Sequence, residues 1–111
     1  MAFQSIVGAR LIQSAITTAY VSIYTAPPNS RVYVKDLDLC NTTGSPIGIY
    51  VHLVPVTNSP VAANALFYNA VIPAYTTVQW TGSQILNAGD TIQVKGTATG
   101  GAISITGGIA T

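Results

Sequence analysis

Apolar residues alternate with other residues along the stretch IGIYVHLVP (residues 47–55), where Ile47, Ile49, Val51 and Leu53 are separated by Gly48, Tyr50 and His52. A period of two is what a strand with one face on a core requires, so Tyr50 and His52 are expected on the outward face. In RVYVKDLDLCN (31–41) the phase breaks, with Val32 and Val34 even and Leu37 and Leu39 odd. A one-residue slip turns every later side chain to the opposite face, so a β-bulge near Lys35 and Asp36 is predicted to restore one inward face. Asp36 and Asp38 then point outward together.

Similar short segments rich in Val, Ile, Tyr and Thr recur along the chain, and no window of helical length shows the i, i+3, i+4 pattern. Strands are predicted at residues 4–12, 17–25, 31–40, 47–54, 65–72, 75–81, 91–96 and 102–109. The expected fold class is all-β, a single antiparallel β-sandwich of about eight strands, jelly-roll or immunoglobulin-like. The punctuation agrees. The two prolines of TAPPNS (25–30) cannot serve a central strand, and NTTGSP (41–46) reads as a tight turn leading through a short hairpin to the next strand. In LNAGDT (86–91) Gly89 can take positive φ and the Asp90 carboxylate can accept backbone N–H bonds, while GTATGG (96–101) reads as a hairpin tip.

A length of 111 residues fits one domain. Residues 17–111 are expected to form the β-sandwich domain, and residues 1–16 an N-terminal arm or its first strand. Composition adds the most unusual feature. Charged residues make up 6% of the chain, Glu is absent, and the net charge is +1 beside 49% apolar residues. Little electrostatic repulsion then keeps copies apart, which predicts a homo-oligomer, with a trimer favoured. The four basic residues, Arg10, Arg31, Lys35 and Lys95, are scattered rather than clustered, so no nucleic-acid partner is expected. No run approaches the roughly 18 apolar residues of a membrane helix, and no membrane partner or secretory signal is expected.

Two of the three acids, the single cysteine and the single histidine fall within residues 36–52. Outward Asp36 and Asp38, with His52 on the following strand, have the residue types for a small metal or acid/base group. The plainer expectation is that both acids solvate an exposed face and guard it against aggregation. Cys40 has no partner for an internal disulfide and belongs to no CxxC pattern; it is expected to fill a strand end, not to act with His52 as a nucleophile pair. No GxSxG elbow and no phosphate-binding glycine loop occur. The chain is thus expected to be no enzyme, with no catalytic, cofactor-binding or metal residues and no cofactor. Among Tyr20, Tyr24, Tyr33, Tyr50, Tyr68, Tyr75 and Trp80, some could form a sugar-stacking platform, although core and subunit contacts claim such residues more often. Tyr20 and Tyr24 are expected to share one face.

The succession YTAP, LCNTTG, a strand ending in LVP, NALFYNAVIPAYTTVQW and LNAGDTIQV, over roughly residues 20–109, resembles small β-sandwich structural proteins of tailed bacteriophages and prophages. The resemblance implies a non-enzymatic virion component present in many copies, with no family catalytic residues to carry over. A capsid-decorating or cement role, with the major capsid protein or other virion proteins as partner, is the expectation drawn from it. Deleting residues 1–12 is then expected to remove attachment and spare the sandwich. A tail, neck or fibre-base component is the alternative, and a carbohydrate-binding module using the tyrosines and Trp80 is an alternative of another class.

Overall fold

The computed structural model describes residues 6–111. Eight strands follow one another: β1 (Ile6–Ile16), β2 (Val21–Thr25), β3 (Arg31–Asn41), β4 (Ile47–Val54), β5 (Ala65–Ile72), β6 (Thr77–Asn87), β7 (Thr91–Gly96) and β8 (Gly101–Ala110). A single 3-10 turn, Ala62–Asn64, precedes β5. The strands form two four-stranded antiparallel sheets, in the orders β1-β8-β3-β6 and β2-β7-β4-β5.

The pairs β1–β8, β2–β7, β3–β6 and β4–β5 are all antiparallel, so the chain is one long ribbon doubled back at the β4–β5 connection. Two further pairings, β3 with β8 and β4 with β7, roll that ribbon into the two layers. Such an arrangement is the jelly roll, and it settles the choice between the two expected sandwich types. Only β4 and β5 are consecutive strands that pair. The NTTGSP and GTATGG segments therefore carry the chain between sheets and are not hairpin tips, a correction that no local turn signal could have supplied.

The bulge predicted in β3 is present. Its register shifts between Val34 and Asp36 against both β6 and β8, so Val32, Val34, Leu37 and Leu39 all reach the core and are fully buried. Burying each such side chain stabilises the sandwich by about 1.5–3 kcal/mol. They meet Ile47, Ile49 and Val51 of β4 and Ile92 and Val94 of β7 from the other layer. Neighbouring strands carry matching irregularities, between Arg10 and Ile12 in β1 and at Gly82–Ser83 in β6. The interruptions form a seam across the first sheet. Beyond it β6 continues to Asn87, past the predicted end at residue 81, because Gln84–Asn87 resume pairing with Arg31–Val34.

The connection before β7 follows the expected chemistry. Gly89 has φ +88°, and the Asp90 carboxylate accepts the N–H groups of Asn87 and Val56, each at 2.9 Å. From Ile6 onward the first segment is strand, paired with β8 as far as Ile16↔Gly101, with Leu11 and Ile16 in the core. Residues 1–5 lie outside the described residues. Deleting residues 1–12 would strip most of β1, Ile6 to Ile12, from β8, so loss of sandwich stability is expected where the sequence suggested none.

Candidate functional site

Asp36, Asp38 and His52 do not come together. Asp36 and Asp38 lie on the outer face of the first sheet, whereas His52 lies on the outer face of the second, with the thickness of the sandwich between them. Among the described residues no group of three His, Cys, Asp or Glu side chains is placed to hold a metal. Asp36 accepts hydrogen bonds from Gln79 Nε2 at 3.2 and 3.3 Å. Cys40 is half-buried beside Asp38 in a shallow depression of about 440 Å³ shared with Ser14, Ala102 and Ser104.

His52 also corrects the expectation of solvent exposure. The alternation placed it on the correct face, but that face is covered there, and the residue is 0% exposed. Its Nδ1 lies 2.7 Å from Asn64 Oδ1 and its Nε2 lies 3.0 Å from the Tyr20 hydroxyl. Asn64 is oriented by Val61 N–H, which donates to Oδ1, and by Ser59 O, which accepts from Nδ2. The network thus fixes the tautomer: Nδ1–H donates to Asn64 and Nε2 accepts from Tyr20 O–H. Both ring nitrogens are consumed, which leaves no lone pair for a metal, a nucleophile or a substrate.

What covers His52 is a square of aromatic rings. Tyr20, Tyr50, Tyr68 and His52 meet edge to face, with centroids 5.1 to 6.4 Å apart and interplanar angles of 70 to 86°. Edge-to-face contacts suit ring quadrupoles and hold the side chains in one arrangement. Lys95, the one Lys, Arg, Asp or Glu on the strands of this sheet, places Nζ 4.8 Å from the Tyr20 ring and 4.7 Å from that of Tyr50. The face is therefore aromatic with a single cation, and Tyr68, 62% exposed, is its outermost ring.

Two of the candidate platform aromatics lie elsewhere. Trp80 pairs opposite Leu37, points toward the core and is half-buried, with Gly82 leaving room for its indole. A register shift between Ser22 and Tyr24 turns Tyr24 inward, so it does not share a face with Tyr20.

Burial raises the Tyr20 pKa above 10.0, with added repulsion from Tyr68 and Tyr50 once these ionise, and burial likewise raises Tyr24. A tyrosine whose folded-state pKa is raised contributes stability that is complete below the unfolded value and is lost as pH rises through the folded one. Absorbance titration is expected to show late-ionising phenols above pH 10, one removed by Tyr20→Phe and one by Tyr24→Phe. Loss of neither phase would contradict the burial of these hydroxyls.

The four edge strands are the second notable surface. β2, β5 and β6 contain no charged residue, and β1 contains only Arg10. Large apolar side chains exposed on strands, namely Ile6, Val7, Val21, Tyr68, Val71 and Ile85, all lie on these edges and none on the central strands. Natural sheets usually guard their edges with charge or proline. On the β5/β6 side a cleft of about 650 Å³ opens between the layers, where Leu53, Val56, Leu66 and Leu86 stand beside the polar Gln84, Asn87 and Asp90.

Neither family models nor curated proteins match the chain. Solved structures do. A protein of Bacillus endospore appendages, which form disulfide-linked pili, aligns over 100% of this chain and 94% of its own at 18% identity and a TM-score of 0.58. The T13 particle of infectious bursal disease virus contributes a chain aligned over 96% of this one and 30% of its own, at 10% identity and a TM-score of 0.50. The likeness is one of fold.

The uncharged segments and the outward Tyr50 and His52 were legible in the sequence. The tyrosine square was not, because it joins residues from the β1–β2 connection, β4 and β5, and only the strand order brings them together.

Proposed function

We propose that the protein is a non-enzymatic structural component of a bacteriophage virion, a capsid-decorating protein that binds the head shell and reinforces it. The observation that carries this reading is the set of uncharged, apolar sheet edges on a domain whose one histidine is locked in a structural network. Such edges suit burial against other subunits, where depletion of charge is the compositional signal of an interface core. The resemblance to tailed-phage β-sandwich proteins supplies the particle, and jelly-roll neighbours from a pilus and a viral particle are compatible with assembly as the use of the fold.

The test is addition of purified protein to phage heads that lack it, followed by imaging and by heating. Bound density on the shell and a higher temperature of genome release are expected. Density on the tail or neck would replace the head role with the alternative placement, and binding to neither would end the virion reading.

The tyrosine face supports a second reading, recognition of a surface glycan. Tyr68 and Tyr50 would carry that activity, and Trp80 would not, since its ring faces the core. Glycan-array binding abolished by Tyr68→Ala and retained by Trp80→Phe would establish it.

A further inference from the structure

We infer that copies of the protein join head to tail, the β5/β6 side of one to the β1/β2 side of the next, with both sheets continuing across the joint. This rests on the assembly reading above and names the surface that it uses.

Strand direction is the first support. Within β1-β8-β3-β6 every neighbour is antiparallel, so β1 and β6, at opposite edges, run in opposite directions. The same holds for β2 and β5 in the other sheet. A copy placed alongside in the same orientation therefore presents β1 antiparallel to β6, and β2 antiparallel to β5, as strand addition requires.

Rungs of the first sheet fix what would meet. One rung runs Val7–Ile109–Val32–Leu86 and another Ile12–Ile105–Leu37–Trp80. The irregularities at Leu11, Lys35 and Gly82–Ser83 lie within about one rung of each other, so both edges are regular on either side of the same seam. Extending the rungs sets Val7 of one copy beside Leu86 of the next, at the mouth of the cleft, on the side of its apolar wall of Leu53, Val56, Leu66 and Leu86.

Shape and charge select this joint over a two-fold one. The β5/β6 side is concave between the layers, while the β1/β2 side carries exposed Ile6, Val7 and Val21. A two-fold contact would place like against like, cleft on cleft, whereas the head-to-tail contact sets apolar side chains against the cleft's Leu53, Val56, Leu66 and Leu86. β2, β5 and β6 carry no charge, and the two charges near the joint, Arg10 on β1 and Asp90 in the cleft lining, are of opposite sign. A heterologous joint closes into a ring when its rotation divides a full turn and runs on as a filament when it does not.

Val7→Lys and Ile85→Lys test it, each placing a charge at one side only, on residues 62% and 51% exposed in the single copy. Masses are read by light scattering after size exclusion, with circular dichroism confirming strand content. Wild type is expected to be a species of several copies, and each variant alone an 11.5 kDa monomer. An equimolar mixture should form a dimer and stop there, because the Val7→Lys copy still offers its β5/β6 side and the Ile85→Lys copy its β1/β2 side. A mixture that stays monomeric overturns the inference, as does disruption by one variant only, which would indicate a two-fold contact. A wild type that is monomeric at high concentration also overturns it, and binding of that monomer to heads would show the virion role standing without the joint.

Discussion

Replacing Gly107 with alanine is expected to destabilise the protein by on the order of 3–5 kcal/mol, enough to lower its melting temperature by more than about 10 °C or to prevent soluble expression. Gly107 lies on β8 between Ala9 of β1 and Val34 of β3, beside the bulge at Lys35. An added Cβ would overlap the Tyr33 carbonyl oxygen and lie 3.3 Å from the Lys35 nitrogen. The collision is backbone against side-chain root on a central strand, so no rotamer change relieves it. One rung away, Gly8→Ala is the control. Its nearest neighbour would be Gly107 O at 3.9 Å, ordinary contact, and a change within about 0.5 kcal/mol is expected. Denaturant unfolding of the two variants checks both, and a mild Gly107→Ala would mean that β3 and β8 are farther apart at the bulge than described.

Asn41→Asp is expected to cost about 3–5 kcal/mol near neutral pH. Asn41 is fully buried at the end of β3. Its Nδ2 donates to Ser45 O at 2.7 Å and Ile72 O at 3.0 Å, while Oδ1 accepts from Thr43 N at 2.9 Å and Thr43 Oγ1 at 2.7 Å. The side chain thereby ties the β3–β4 connection to the end of β5. Aspartate keeps the acceptor and turns the donor into an oxygen facing two carbonyls, with a charge and no cation to meet it. Protonation restores one donor, so the introduced carboxyl has a folded-state pKa above its unfolded value, and the variant gains stability as pH falls through that value. Melting curves between pH 4 and pH 7 should show the gap from wild type narrowing on the acid side. A constant gap would mean that the Asn41 donors matter little.

The legible and illegible parts of this fold divide by the distance over which information must act. The bulge in β3 was readable because Val32, Val34, Leu37 and Leu39 record both phases within one strand. The Asp90 turn was readable because its acceptor and Gly89 are neighbours in sequence. His52 was placed on the correct face and given the wrong exposure, since Tyr20 arrives from the distant β1–β2 connection and Asn64 from a turn in the β4–β5 connection that no local pattern folds back over β4. The second half of β6 was missed because Gly82 and Ser83 look like a terminus, and only the partner strand shows pairing resumed at Gln84. Trp80 resembled a surface platform for want of a sign that its rung, shared with Leu37, faces inward.

The doubled ribbon also sets an order of events during synthesis. Of the eight strands β1 is made before the others, yet its partner is β8, so Ile6 waits for Ala110 and Ile16 for Gly101. Only the β4–β5 pair can form as soon as it emerges, and closure proceeds outward from there through ever longer loops, a slow route for a chain of this size. Until β8 has been made, β1 is therefore an exposed strand with both edges open and Arg10 as its one charge, a template for pairing with another copy.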